Sequence, residues 1–283
     1  MDICVLGGLT VRESGVSITP TAPKPRQVLA LLALRADQVV TVPTLTEELW
    51  GTEPPRSARA TLQTYVLQLR EMIGAALERD ADGAVPRSAK DVLVTTPGGY
   101  QLNTNGGSHD VREFERLAGL GYRAMDAGDF PGAARQLGGA LSLWTGAAFA
   151  DVRTGAQLSP EVKRLEETRL CALDQRIDAD LKLGRHRELL GELSVLVTRH
   201  PMHETLHGQF MLALHRSGRR TEALETYQRL RRALIGGLGL EPSAGLRRLQ
   251  LSLLMTGPEA GQDGAPARGG ARAVRVGQTV SSK

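Results

Sequence analysis

The sequence predicts a mainly α-helical protein in two parts: a mixed α+β unit over residues 1–105 and an all-α array of paired helices over 110–256. Three observations point there. Apolar residues recur at helical spacing in three consecutive segments between 25 and 77, and an alternating hairpin pattern follows at 92–102. The polar, glycine-bearing stretch 103–108 (NTNGGS) then separates two kinds of periodicity. From Asp110 to Leu254 glycine turns return with the same apolar offsets behind them. Residues 257–283, rich in Gly, Ala and Arg and poor in large apolar side chains, are expected to form a disordered tail.

Residues 3–18 alternate apolar and polar in short bursts (Ile3, Val5; Leu9, Val11; Val16, Ile18). Gly7-Gly8 and Ser14-Gly15 break them, so a small antiparallel sheet is expected. Pro25 suits the first turn of a helix running to about Ala36, where its missing N–H has no partner to lose. Thr44 and Glu47 have the spacing of a capping box for a second helix, Leu45–Trp50, ended by Gly51. Glu53-Pro54-Pro55 makes a stiff loop, and a third helix runs from about Arg56 to Leu77. Glu78–Asp91 is polar and expected to be a solvent loop. Val92–Thr95 and Tyr100–Leu102 form a hairpin around Pro97-Gly98, a pair that fits a type II turn.

In the second part, three inter-helix turns carry Gly128, Gly184 and Gly218. Ala133, Leu137 and Ala140 follow the first at offsets of 5, 9 and 12. Leu189, Leu193 and Leu196 follow the second, and Ala223, Tyr227 and Leu230 the third. The last two turns are 34 residues apart, a period that resembles tetratricopeptide repeats. An extra segment, about Gly146–Pro160, interrupts the array, and a long helix then runs through Leu183.

Composition excludes more than it identifies. The net charge of +4 does not come from the first part, where 10 Lys+Arg face 11 Asp+Glu. Any nucleic-acid footprint there must come from a few placed cations. Cys4 and Cys171 lie in apolar patterns and are expected to be buried thiols of a reducing compartment. No basic leader and no long apolar run occur, so a cytoplasmic protein with no membrane span is expected. His200, His203 and His207 lack converging carboxylates or thiols and are expected to be surface or inter-helix histidines. Asp174, Asp178 and Asp180 sit among Arg169, Arg176 and Lys182, where helical charge pairing accounts for them. No metal or cofactor is expected, and no nucleophile–base–orienter trio suggests an enzyme. None of the five lysines precedes Ser or Thr, so no phosphate-binding P-loop is present.

The chemistry-bearing pattern is the third helix with its hairpin. Leu62, Val66, Leu69 and Ile73 fix one buried face, leaving Arg59, Gln63, Thr64 and Gln68 free to address base edges. Arg suits guanine and Gln suits adenine. Lys24, Arg26, Arg56, Tyr65 and Arg70, with Thr95, Thr96 and Tyr100 of the hairpin, are the expected phosphate and groove contacts, which set register rather than sequence. The helix alone is better read as an ordinary amphipathic element with a solvated polar face; the hairpin behind it turns the reading to DNA.

With these residues in place, the 1–105 unit resembles an OmpR-type winged helix–turn–helix. Residues 1–254 resemble the Streptomyces antibiotic regulatory protein family, in which that unit joins a bacterial transcriptional activation domain. The resemblance rests on Lys24-Pro25-Arg26, Leu49-Trp50-Gly51, Thr61-Leu62-Gln63-Thr64-Tyr65-Val66 and Pro97-Gly98-Gly99-Tyr100 in the first part. Leu165-Glu166-Glu167, His200-Pro201, Met211-Leu212-Ala213-Leu214, Ser217-Gly218-Arg219 and Leu238-Gly239-Leu240-Glu241-Pro242 extend it. It implies an activator of a secondary-metabolite gene cluster that binds tandem direct repeats of double-stranded DNA near the −35 region. It also implies a second protomer on the DNA, and recruitment of RNA polymerase through its σ factor. The loop Glu53-Pro54-Pro55-Arg56 is the expected polymerase contact. The winged unit begins at residue 3, so no receiver domain is expected before it. The competing readings are a helical-repeat scaffold docking protein through its winged unit, and a ligand-sensing repressor.

Overall fold

A computed structural model describes residues 1–79 and 87–255. Strands β1 (Asp2–Cys4), β2 (Thr10–Glu13) and β3 (Val16–Ser17) form an antiparallel sheet in that order, with Ile3 opposite Val11. The pleat sends Ile3 and Val11 into the core and Cys4 outward. Cys4 is therefore exposed, and Cys171, on a helix of the second part, is exposed as well, correcting the expectation of buried thiols. An apolar neighbourhood in sequence does not say which face a given strand or helix position occupies.

Helix α1 (Pro23–Leu34) begins two residues earlier than expected, because Pro23 already occupies a first-turn position. Its Val28–Ala33 run is fully buried. Strand β4 (Val39–Thr41) was not foreseen: three residues are too short to show an alternation. It leads directly into α2 (Val42–Trp50). The N-cap is Thr41, whose Oγ1 accepts from the Thr44 amide at 3.3 Å, and this replaces the expected Thr44–Glu47 capping box. Pro43 has no N–H to satisfy, so the helix starts a turn earlier than its apolar pattern suggests.

Helix α3 (Ala58–Glu78) is followed, after residues outside the description, by the single-turn α4 (Ala89–Val92), opened by the Asp91 carboxylate accepting from the Ser88 amide at 2.8 Å. That turn lies at the end of the expected solvent loop; positions 80–86 of that loop are outside the described residues. The hairpin is β5 (Leu93–Thr96) and β6 (Gly99–Leu102), in a second sheet ordered β4–β6–β5. Gly98 has φ +82°, as the type II turn requires. Gly99 is needed for a different reason. A Cβ there would lie 2.4 Å from the Val40 carbonyl oxygen, so only glycine lets β6 sit against β4.

The second part consists of α5 (Asp110–Asp126), α6 (Phe130–Ser142), α7 (Leu158–Lys182), α8 (His186–Arg199), α9 (Glu204–Arg216), α10 (Arg220–Leu238) and α11 (Ala244–Met255). Gly128, Gly184 and Gly218 all adopt positive φ in the turns that join successive helices. The repeat offsets are buried as expected except Leu196, which is half-buried while its neighbour Val197 turns inward. The expected tail, 257–283, lies outside the described residues.

The segment 143–157 carries no regular helix and runs along the N-terminal sheet. Thr145, Phe149 and Ala150 donate backbone N–H groups to Leu6, Val5 and Gly7 carbonyls at 2.8–2.9 Å. Asp151 accepts the Leu9 amide at 2.8 Å, and Asp110 accepts those of Val5 and Leu6 at 2.6 and 2.8 Å. In this way the extra segment joins the two parts.

The hydrophobic interior follows the same arrangement. One core runs continuously from Ile3 through Ala179, and a second from Ile177 to Leu253. The change from one to the other falls along α7, not at 103–108.

Candidate nucleic-acid interface

Helix α3 is strictly two-faced. Leu62, Val66, Leu69 and Ile73 are buried, each gaining ~1.5–3 kcal/mol from leaving water. Arg59, Gln63, Thr64 and Gln68 lie on the exposed side, and so do Leu67 and Glu71. Thr64 Oγ1 donates to the Ala60 carbonyl at 3.1 Å, so only its lone pairs and methyl remain for a partner. Tyr65 is half-buried and packs on the core. No side chain caps the first turn of α3, which opens beside exposed Arg56 and Arg59. Such a turn carries the positive end of the helix dipole. The whole loop Glu53-Pro54-Pro55-Arg56 is exposed.

The hairpin is fixed to this helix through Arg70. Its Nε and Nη2 donate to the Leu93 carbonyl at 3.1 and 2.7 Å, and Nη2 also donates to Thr95 Oγ1 at 2.7 Å. Planar and multidentate, the guanidinium holds α3 and β5 at one mutual angle. Arg70 therefore positions the wing; it is not a free phosphate anchor. Thr95 is exposed. Thr96 turns its hydroxyl inward, and Tyr100 is buried, so neither lies along a groove as expected. β6 is the middle strand of its sheet, which explains why its side chains are covered.

Lys24 and Arg26 are also employed elsewhere. Lys24 Nζ donates to the Leu49 carbonyl at the end of α2 and lies 5.7 Å from the Trp50 ring centroid. Burial, helped by nearby Arg153, pushes its pKa down. Arg26 donates to the Pro20 and Leu9 carbonyls at 3.0 and 3.1 Å and pairs with Asp151 of the segment between α6 and α7. Both were expected on phosphates. Each instead satisfies carbonyls or a carboxylate within the fold, a role that spacing alone cannot separate from DNA contact. Of the cations expected to touch DNA, Arg56 and Arg59 are the two left facing outward, both at the N-terminal end of α3.

Glu48, on α2, was missed entirely. It is 2% exposed, and its carboxylate accepts from Gln27 Nε2 at 2.9 Å. It also accepts from the amides of Gly155, Gln157 and Leu158 at 2.6, 2.8 and 3.0 Å. A residue of the helix–turn–helix thus caps the N-terminus of α7 in the helical part, where a negative charge is favoured. Nothing in the sequence separated it from its exposed neighbour Glu47, which bonds Gln157 Nε2 at 2.7 Å.

His203, His207, Asp174 and Asp180 have structural partners. His203 Nδ1 accepts the Leu206 amide at 3.3 Å, capping α9, and its Nε2 lies 3.7 Å from Asp174. His207 is buried with Nδ1 against the His203 carbonyl, and desolvation holds its pKa below the ordinary value despite that contact. Asp180 pairs with Arg176 and Arg185. Asp174 meets histidine rather than the arginine pairing expected of it, and burial raises its pKa. Among the described residues no three His, Cys, Asp or Glu side chains converge on a metal-sized site. No helix there is long and apolar enough to cross a membrane.

Comparison with known proteins agrees with this geometry. The bacterial transcriptional activator domain family matches residues 109–254, and the family of C-terminal domains of transcriptional regulatory proteins matches residues 17–82. The chain is 51% identical to the regulatory protein DnrI of Streptomyces peucetius over 93% of its own length and 96% of DnrI. It is 36% identical to the regulatory protein AfsR of Streptomyces coelicolor over 90% of its length, but spans only 24% of AfsR. The solved structure of Mycobacterium tuberculosis EmbR, in complex with a low-affinity phosphopeptide, superposes with a TM-score of 0.79 at 32% identity. That match covers 89% of this chain and 64% of EmbR.

Proposed function

The chain belongs to the Streptomyces antibiotic regulatory protein family, and we propose that it acts by laying α3 in the major groove of its target DNA with the β5–β6 wing alongside. It is a sequence-specific, DNA-binding transcriptional activator of a secondary-metabolite gene cluster. Within that activity, Arg59, Gln63, Thr64 and Gln68 address base edges, and Arg56 anchors a phosphate. The observation that supports this most is the outer face of α3: it presents hydrogen-bonding side chains while its other face is sealed in the core.

Two outward cations beside α3 are a small electrostatic contribution, because each phosphate contact adds only one released counterion. A lone protomer is therefore a weak binder, and two protomers on tandem direct repeats reach useful affinity by adding their contacts. The exposed Glu53–Arg56 loop faces RNA polymerase, including its σ factor. The protein is regulatory rather than catalytic, needs no cofactor, and works in the cytoplasm.

The test is a mobility-shift assay with duplexes enriched by the full chain from a random-sequence pool. Arg59→Ala with Gln63→Ala should weaken the enriched site by tenfold or more, at ~1–3 kcal/mol for each good base contact. Unchanged affinity in the double variant removes α3 from the role of reading element.

A further inference from the structure

Leu67 is the exception on the outer face of α3. The other leucines and the isoleucine in the middle of this helix, Leu62, Leu69 and Ile73, are at most 1% exposed, whereas Leu67 is 57% exposed. Gln63, Leu67 and Glu71 follow one another at i, i+4 and i+8, a single ridge turning about 40° per step. Leu67 is the middle of that ridge, with hydrogen-bonding side chains before and after it. One exposed leucine on a protein surface is ordinary. One at the centre of a face whose other side chains larger than alanine are Arg, Gln, Thr and Glu is placed where a partner's apolar group must meet it. In a DNA major groove only one group of that kind is available: the C5 methyl of thymine.

We propose that Leu67 determines specificity by packing on a thymine methyl, fixing an A·T pair within each half of the target. This rests on the reading of α3 as the recognition helix. Gln63 and Glu71 then fall on the neighbouring base pairs, where an amide matches the adenine N6/N7 edge and a carboxylate accepts from cytosine N4. An apolar side chain here also excludes a pair presenting only polar edges, because burying those groups against leucine leaves them unpaired.

The experiment uses the full chain and duplexes enriched by it from a random pool, with each thymine replaced in turn by deoxyuridine, which lacks only the methyl. At one thymine per repeat the wild-type protein should bind the deoxyuridine duplex about fourfold more weakly, the ~0.8 kcal/mol of one buried methyl group. Leu67→Ala should bind the thymine duplex more weakly and show no further loss at that position. Leu67→Met, which keeps an apolar tip, should retain the discrimination and serves as the readout if Leu67→Ala binds too weakly to measure. A deoxyuridine penalty that persists unchanged in Leu67→Ala, an absence of any penalty in the wild type, or an enriched motif with no A·T pair overturns the assignment while leaving α3 as a reading element. Failure to enrich any motif instead overturns the underlying reading of α3.

Discussion

Replacing Glu48 by alanine is the sharpest test of how the helix–turn–helix is held. Its buried carboxylate is the shared acceptor for three backbone amides at the start of α7 and for the Gln27 side chain. The Gln27 amide keeps its second bond, to the Glu48 carbonyl at 2.8 Å, and Gly155 and Gln157 lie close enough to the surface to be rehydrated. Leu158 is fully buried, so its amide loses its partner outright. One stranded buried donor costs ~1–3 kcal/mol and loss of a helix cap ~1 kcal/mol, so Glu48→Ala should destabilise by about 3 kcal/mol. Glu48→Gln keeps the shape but replaces one carboxylate oxygen with a donor, and should cost about half as much. Urea unfolding followed by circular dichroism measures both. The midpoint of the transition involving the first core should fall with its slope unchanged. If Glu48→Ala stays within 1 kcal/mol of wild type, the capping role assigned to this carboxylate is wrong.

Further outcomes separate the roles assigned to cations and histidines. Arg56→Ala should reduce the log–log salt slope of DNA binding by about 0.9, one phosphate's worth, whereas Arg26→Ala should leave the slope alone and lower thermal stability instead. Arg70→Ala frees the wing from α3; DNA affinity should fall several-fold, while crosslinks from Thr95→Cys to DNA spread over more positions. Unchanged, narrow crosslinking would mean the wing is held by something other than Arg70. His109 donates from Nε2 to the Ala33 carbonyl at 3.0 Å and accepts the Val111 amide on Nδ1 at 3.2 Å, a pattern only the neutral ring can make. Burial pulls its pKa below 6.5 despite Asp110 beside it. The unfolded chain therefore binds a proton that the fold refuses, and stability present above pH about 6.5 declines as pH drops toward the folded value. His186 and His207 shift in the same direction, so His109→Gln should remove part of the decline, and an identical pH profile would refute the assignment.

What could be read in the chain was periodic. The buried faces of α1 and α3, the glycine turns of the helical repeats and the Pro97-Gly98 hairpin all announce themselves by spacing, because helix and strand geometry impose fixed intervals on apolar residues. Strand β4 and helix α4 were too short to carry such an interval. The partners that Lys24, Arg26 and Arg70 have within the fold were illegible for a different reason. A guanidinium that binds a carbonyl within the fold and one that binds a phosphate are the same residue in the same kind of sequence. The difference is made by Leu49, Asp151 and Leu93, which are distant in the chain from the cations they occupy. Glu48 was invisible by the same logic, since the backbone amides it caps lie more than a hundred residues away. Leu67 was legible as an exposed position on the helical wheel, but apolar residues in such patterns are conventionally assigned to the core.

The continuous core from Ile3 to Ala179 bears on how such proteins exchange parts. One family match ends at residue 82 and the next begins at 109, which invites the picture of a cassette that recombination could lift from one regulator to another. The molecule does not come apart there. A foreign cassette lacking counterparts of Glu48 and Arg26 would leave the start of α7 without its carboxylate and Asp151 without its arginine, and its N-terminal sheet would have to present the same backbone course to the 143–157 strap. A working hybrid has to transplant the strap and the first half of α7 along with the cassette, or import the cassette from a relative whose strap contacts already agree. The outer face of α3 makes none of these contacts and is free to drift, while the seam between the two halves must change in pairs.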